Sequence, residues 1–131
     1  MRGIDTNVLV RYLTQDNAAQ SKAVDALVKA AAAGSETLHV DDVVLCETVW
    51  VLRAAYGQDK ASIADVLEKV LATSQFSFDD RDLLTRALAD FRNGKGDFAD
   101  YVIGQRNRRA GCDRTATFDR SLKGSGSFTV L

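Results

Sequence analysis

Four carboxylates of this 131-residue chain, Asp5, Glu47, Asp100 and Asp119, are the side chains whose types and positions point to shared chemistry. Asp5 stands between a minimal strand pattern, Gly3-Ile4, and a helical one, Val8, Leu9, Tyr12 and Leu13. The carboxyl end of a strand opens there, the usual place for a site in an open α/β sheet. Asp119 closes a second strand-like run that begins at Arg114-Thr115-Ala116. Asp100 follows Asp97 at the start of a helical pattern, and Glu47 lies inside the apolar run from Val43 to Leu52. Structural roles are open to most of these acids. Asp5 or Asn7 can cap a helix by accepting a backbone N–H bond, and Asp97 with Asp100 makes a reciprocal capping pair. For Glu47 the local sequence offers less. Leu45, Val49, Trp50 and Val51 are neighbours of buried type, and Arg53 is off the i+3 and i+4 positions that would pair with it. A carboxylate in such company is costly unless something neutralises it.

In a parallel sheet the strands' carboxyl ends open on one side, so the four acids are expected to share one pocket. Left bare, such a cluster repels itself and drives its pKa values upward. Oxygen-only ligands suit Mg²⁺ or Mn²⁺, which keep waters for a substrate phosphate. One or two such ions can activate water and stabilise a leaving oxygen. The rest of the inventory agrees. His39 is the sole histidine and reads as a strand residue, which removes mechanisms needing a histidine pair as acid and base. Cys46 and Cys112 have neither paired nor finger spacing, so reduced thiols in a cytoplasm are expected and zinc is not. No GxxxxGK[ST] or GxGxxG loop occurs, and Asn93-Gly94-Lys95-Gly96 is too short to stand for one.

The elements that must position these acids alternate. A helix follows Asp5, and Asp16 or Asn17 caps the next, with Val24, Leu27, Val28 and Ala31 on one stripe and Gly34 as its stop. Leu38-His39-Val40 is a strand, and Val43 to Leu52 a helix behind Asp41 and Asp42, stopped at Gly57. Asp59 caps a helix carrying Ile63, Val66, Leu67, Val70 and Leu71; Phe76-Ser77-Phe78 alternates as a strand. Asp79 or Asp80 starts the helix of Leu84, Ala87, Leu88 and Phe91, and the helix after Asp97 runs to about Arg109, before Gly111. A glycine-serine loop, Gly124 to Ser127, leads to a last strand at Phe128-Thr129-Val130-Leu131. Short strands alternating with helices predict an α/β fold: a mainly parallel sheet of about five strands with helices on both faces. The length fits one domain over residues 1–131. No apolar run approaches the roughly 20 residues of a membrane span, and the N-terminus does not read as a signal peptide.

Net charge is −1 but unevenly spread. Residues 1–100 hold 11 Lys and Arg against 16 Asp and Glu, while residues 101–131 hold 6 against 2. The basic segment, with Arg106, Arg108, Arg109, Arg114, Arg120 and Lys123, is suited to phosphates. A solvated helix end favoured by the helix dipole explains it equally well.

Asp5-Thr6-Asn7-Val8-Leu9, Glu47 within Leu45 to Leu52, Asp97-Phe98-Ala99-Asp100 and Thr117-Phe118-Asp119-Arg120 together resemble the four acidic motifs of PIN-domain ribonucleases, most closely the small VapC-type toxins of bacterial toxin–antitoxin pairs. The resemblance spans essentially the whole chain, with the motifs in the family's order. It implies a three-layer α/β/α sandwich and a Mg²⁺- or Mn²⁺-dependent endoribonuclease. It also implies a homodimer, or a hetero-oligomer with an antitoxin whose C-terminal segment covers the acidic pocket. By motif, Asp5, Glu47, Asp100 and Asp119 are the four ligands in order, and Asp97 is an extra acid that joins the site or caps its helix. Thr6, Asn7 and Thr117 match polar positions that orient carboxylates or water, and Arg106, Arg108, Arg109 and Arg120 are candidates for steering RNA. Competing expectations are a DNA nuclease or phosphatase on the same site, and an inactive PIN-like module that binds another protein. A phospho-accepting signalling domain would place a lysine near its last strands, where only Lys123 is close.

Overall fold

Almost every helix of this protein begins on a side chain that accepts one of its orphan N–H groups. The structure, a computed structural model, describes residues 1–131 and divides into two compact units, Met1–Asp79 and Asp80–Leu131. The first contains β1 (Arg2–Ile4), α1 (Thr6–Thr14), α2 (Ala18–Ala33), β2 (Leu38–Val40), α3 (Asp42–Ala54), α4 (Lys60–Ala72) and β3 (Phe76–Ser77). Asp5, Asn17, Asp41 and Asp59 cap the four helices. Asn17 takes the cap of α2, and Asp16 binds elsewhere: its Oδ1 accepts from Arg11 at 3.0 Å and its Oδ2 from the Tyr56 hydroxyl at 2.6 Å. α3 ends at Ala54, and Gly57 takes a positive φ of 61° in the loop beyond it. The strands pair in the order β1-β2-β3, all parallel, with Ile4 opposite Val40 and Leu38 opposite Phe76. Leu9, Val40, Leu45, Leu52, Ile63 and Phe76 are fully buried, and the Tyr12 ring meets Phe76 edge-on at 5.5 Å.

The second unit contains α5 (Arg81–Asn93), α6 (Phe98–Arg109), β4 (Thr115–Thr117), a 3-10 turn (Arg120–Leu122) and β5 (Phe128–Val130). β4 and β5 pair in parallel, Thr115 opposite Phe128 and Thr117 opposite Val130. Asp80 caps α5 through the Leu83 N–H. Phe91 of α5 and Phe98 of α6 stack edge-on, as do Tyr101 and Phe128. The glycines between α5 and α6 are required by Tyr101, whose hydroxyl accepts the Gly96 N–H at 3.0 Å. A Cβ on Gly94 would run into that hydroxyl, and one on Gly96 into Leu122. The α/β class and the five short parallel strands expected of the sequence are present, joined as a three-strand sheet and a two-strand pair. No helix is long and apolar enough to cross a membrane.

Candidate active-site acids

In the first unit, Asp5 sits at the carboxyl end of β1 and its Oδ1 accepts the Val8 N–H at 3.0 Å. Capping therefore occupies one oxygen of an exposed carboxylate and leaves the other to solvent. Thr6 donates its hydroxyl to Glu47 Oε1 at 3.1 Å, tying α1 to α3 one residue from Asp5. Glu47 is exposed, which corrects the expectation that its apolar neighbours enclose it. The core face of α3 is Leu45, Thr48, Val49 and Leu52; Val43 and Trp50, one helical turn on either side of Glu47, are 59% and 70% exposed. Thr48 is acceptable on the buried face because its hydroxyl returns to the Val44 carbonyl at 2.8 Å. Asn7 is exposed and shares an open depression with Asp5, Val8, Arg11 and Gln20. Arg11 and Gln20 were not singled out from sequence as site residues, although Arg11 lies four positions from Asn7 and so on its face of α1.

In the second unit, Asp97 and Asp100 make the expected capping box at the start of α6, its firmer half being the Asp97 N–H donated to Asp100 Oδ2 at 3.1 Å. Asp119 follows β4, accepts the Ser121 N–H at 2.9 Å, and has its own N–H held by the Thr117 hydroxyl at 3.0 Å. The acids of this unit feel one another. Partial burial holds the Asp100 carboxyl protonated to higher pH than usual; the Asp97 N–H opposes this, and the charges of Asp119 and Asp97 reinforce it. Asp119 is shifted the other way, below the usual range, by the hydroxyl and N–H of Ser121.

For a divalent cation the donor chemistry is right, since every candidate ligand offers carboxylate oxygen and Asp100 carries an electrostatic load that a cation would relieve. No group of three or more His, Cys, Asp or Glu side chains is gathered as a ready-made cage. Neither Cys46 nor Cys112 is in a disulfide, and His39, half-buried on β2, has Nδ1 3.2 Å from the Ser77 hydroxyl, as a structural strand residue should.

The four arginines expected to steer RNA differ in their engagements. Arg109 is paired with Asp80 at 3.3 Å and Arg108 reaches the Gly126 carbonyl at 3.4 Å. Arg106 is exposed on the last turn of α6. Arg120 faces open hollows that Lys123 also lines.

A family model described as "PIN domain" matches residues 4–124. A protein named VapC ribonuclease from Aquifex aeolicus (strain VF5) is 23% identical over 130 residues, covering 99% of this chain and 96% of that one. No solved structure matches with significance.

Proposed function

The chain belongs to the PIN-domain family, and from that premise we propose that it is a metal-dependent endoribonuclease, the toxin of a toxin–antitoxin pair. The PIN match crosses the boundary between the two units, which supports reading residues 1–131 as one PIN domain. The observation that carries the nuclease reading is the position of Asp100, partly buried and facing the charges of Asp119 and Asp97, which leaves a half-buried carboxylate in need of a counter-charge. Asp5, Glu47, Asp100 and Asp119 are the ligands for Mg²⁺ or Mn²⁺, with Asp97 beside Asp100. When bound, the cation supplies charge neutralisation at the phosphodiester and a lowered pKa for water. The chain's own groups orient the ligands: Thr6 fixes Glu47, Thr117 fixes the backbone at Asp119, and the α6 capping box aims Asp97 and Asp100. Asn7, exposed beside Asp5, is placed to hold water or a substrate oxygen.

The relative's name, VapC ribonuclease, supports RNA as substrate; an antitoxin as the silencing partner, a homodimer or toxin–antitoxin hetero-oligomer, and a cytoplasmic location complete the proposed reading. The test is cleavage of single-stranded RNA, single-stranded DNA and a simple phosphodiester by the purified protein. RNA cleavage with Mg²⁺ or Mn²⁺, lost in EDTA and in Asp5→Asn and Asp100→Asn, is expected. Undiminished cleavage in excess EDTA, or by both variants, refutes the assignment. Preference for DNA or for the simple ester moves the same site to another substrate.

A further inference from the structure

We infer that the cationic trough around the Arg120–Lys123 turn seats backbone phosphates of single-stranded RNA beside the scissile bond. The inference rests on the ribonuclease reading and adds the substrate track to it. Two open hollows of the second unit meet at this turn. One is lined by Arg114, Arg120 and Lys123, the other by Lys95, Arg120 and Lys123, and both share the Gly124-Ser125-Gly126 loop. The single acid on their walls, Asp90, already accepts from the Gln105 amide at 2.9 Å. Arg120 and Lys123 are exposed and make no ion pair, in contrast to Arg109, which Asp80 neutralises. Four cations thus line a concave surface against one carboxylate side chain, Asp90, an excess of positive charge that suits a phosphodiester backbone.

Position selects RNA over an acidic protein segment. Arg120 is the residue after Asp119, and the 3-10 turn from Arg120 to Leu122 rises only about 2 Å per residue. Phosphates held by Arg120 and Lys123 therefore lie close to the one served by Asp119. The glycine-serine wall presents little side-chain bulk to a sugar-phosphate chain.

The experiment measures binding of a short fluorescein-labelled single-stranded RNA to the full chain in EDTA, where no cutting occurs, between roughly 50 and 200 mM salt. Each phosphate contact contributes about 0.7 to the slope of log K against log salt for single strands. Arg120→Ala with Lys123→Ala should lower that slope by about 1.4 and lower kcat/KM for RNA by at least tenfold. Lys29→Ala with Lys69→Ala, exposed lysines of the first unit, should leave the slope where it was. An unaltered slope in the Arg120/Lys123 variant overturns the inference, as does loss of an oligo-glutamate peptide in place of RNA. Failure of the ribonuclease reading looks different: the wild type binds RNA with the full salt slope and never cuts it with either metal.

Discussion

The Thr6 hydroxyl stands 3.1 Å from Glu47 Oε1, joining residues 41 apart in sequence. One of the pair is half-buried at the first turn of α1 and the other exposed on α3, so the bond orients a carboxylate more than it stabilises the fold. Thr6→Val should lower kcat/KM on RNA about tenfold while stability changes by no more than about 1 kcal/mol. Thr6→Ser, which keeps the hydroxyl, should restore most of the activity. Steady-state cleavage beside urea denaturation separates the two effects.

Asp5 combines a cap with a proposed ligand, and two substitutions divide those roles. Asparagine caps nearly as well as aspartate, whereas alanine costs about 1 kcal/mol. Asp5→Asn should therefore retain the stability of the wild type and lose RNA cleavage. Asp5→Ala should lose both, and equal midpoints for the two variants would show that the Val8 N–H bond contributes nothing.

Tyr101 holds the turn that delivers Asp97 and Asp100. Its hydroxyl accepts the buried Gly96 N–H, so Tyr101→Phe leaves that group unpaired, at a cost of about 1–3 kcal/mol. Gly94→Ala should destabilise further, because the added methyl meets the Tyr101 ring. Thermal melts rank the variants; the account requires both to lie below the wild type.

Acid titration should separate Asp100 from Asp80. The folded-state pKa of Asp100 is raised, mainly by burial, so the native state takes up that proton first and the contribution of Asp100 to stability declines as pH rises through the window above about 4. Asp80 is depressed, first by the Leu83 N–H bond and then by Arg109; its contribution is present above about pH 4 and lost as pH falls through the folded value. In metal-free buffer Asp100→Asn should melt at or above the wild type near neutrality, whereas Asp80→Ala should melt below it and converge with it in acid. Melting temperatures across pH check both signs.

Local chemistry made much of this fold legible. Asp59 and Asp97 cap the helices assigned to them, and Leu38-His39-Val40 forms β2 as expected. The surroundings of Glu47 were not legible, because α3 carries two apolar stripes and a threonine sits on the buried one. Composition cannot choose between stripes when the deciding factor is the Thr48 hydroxyl returning to its own helix. Nor could sequence sort the arginines: Arg109 is neutralised by a residue 29 positions away, and the openness of Arg120 depends on how the Gly124–Ser127 loop turns. At Asp5 and Asp119 a cap is present and engages one carboxylate oxygen, so capping does not by itself decide against the proposed ligand role.

The claim that the acids exist to hold a cation is tested most directly by titrating Mn²⁺ into the metal-free protein and measuring binding by calorimetry. The account predicts saturable binding by the wild type and a loss of at least tenfold in affinity in Asp5→Asn and Asp100→Asn, each still folded by circular dichroism. Binding of Mn²⁺ to both variants with the affinity of the wild type would contradict it.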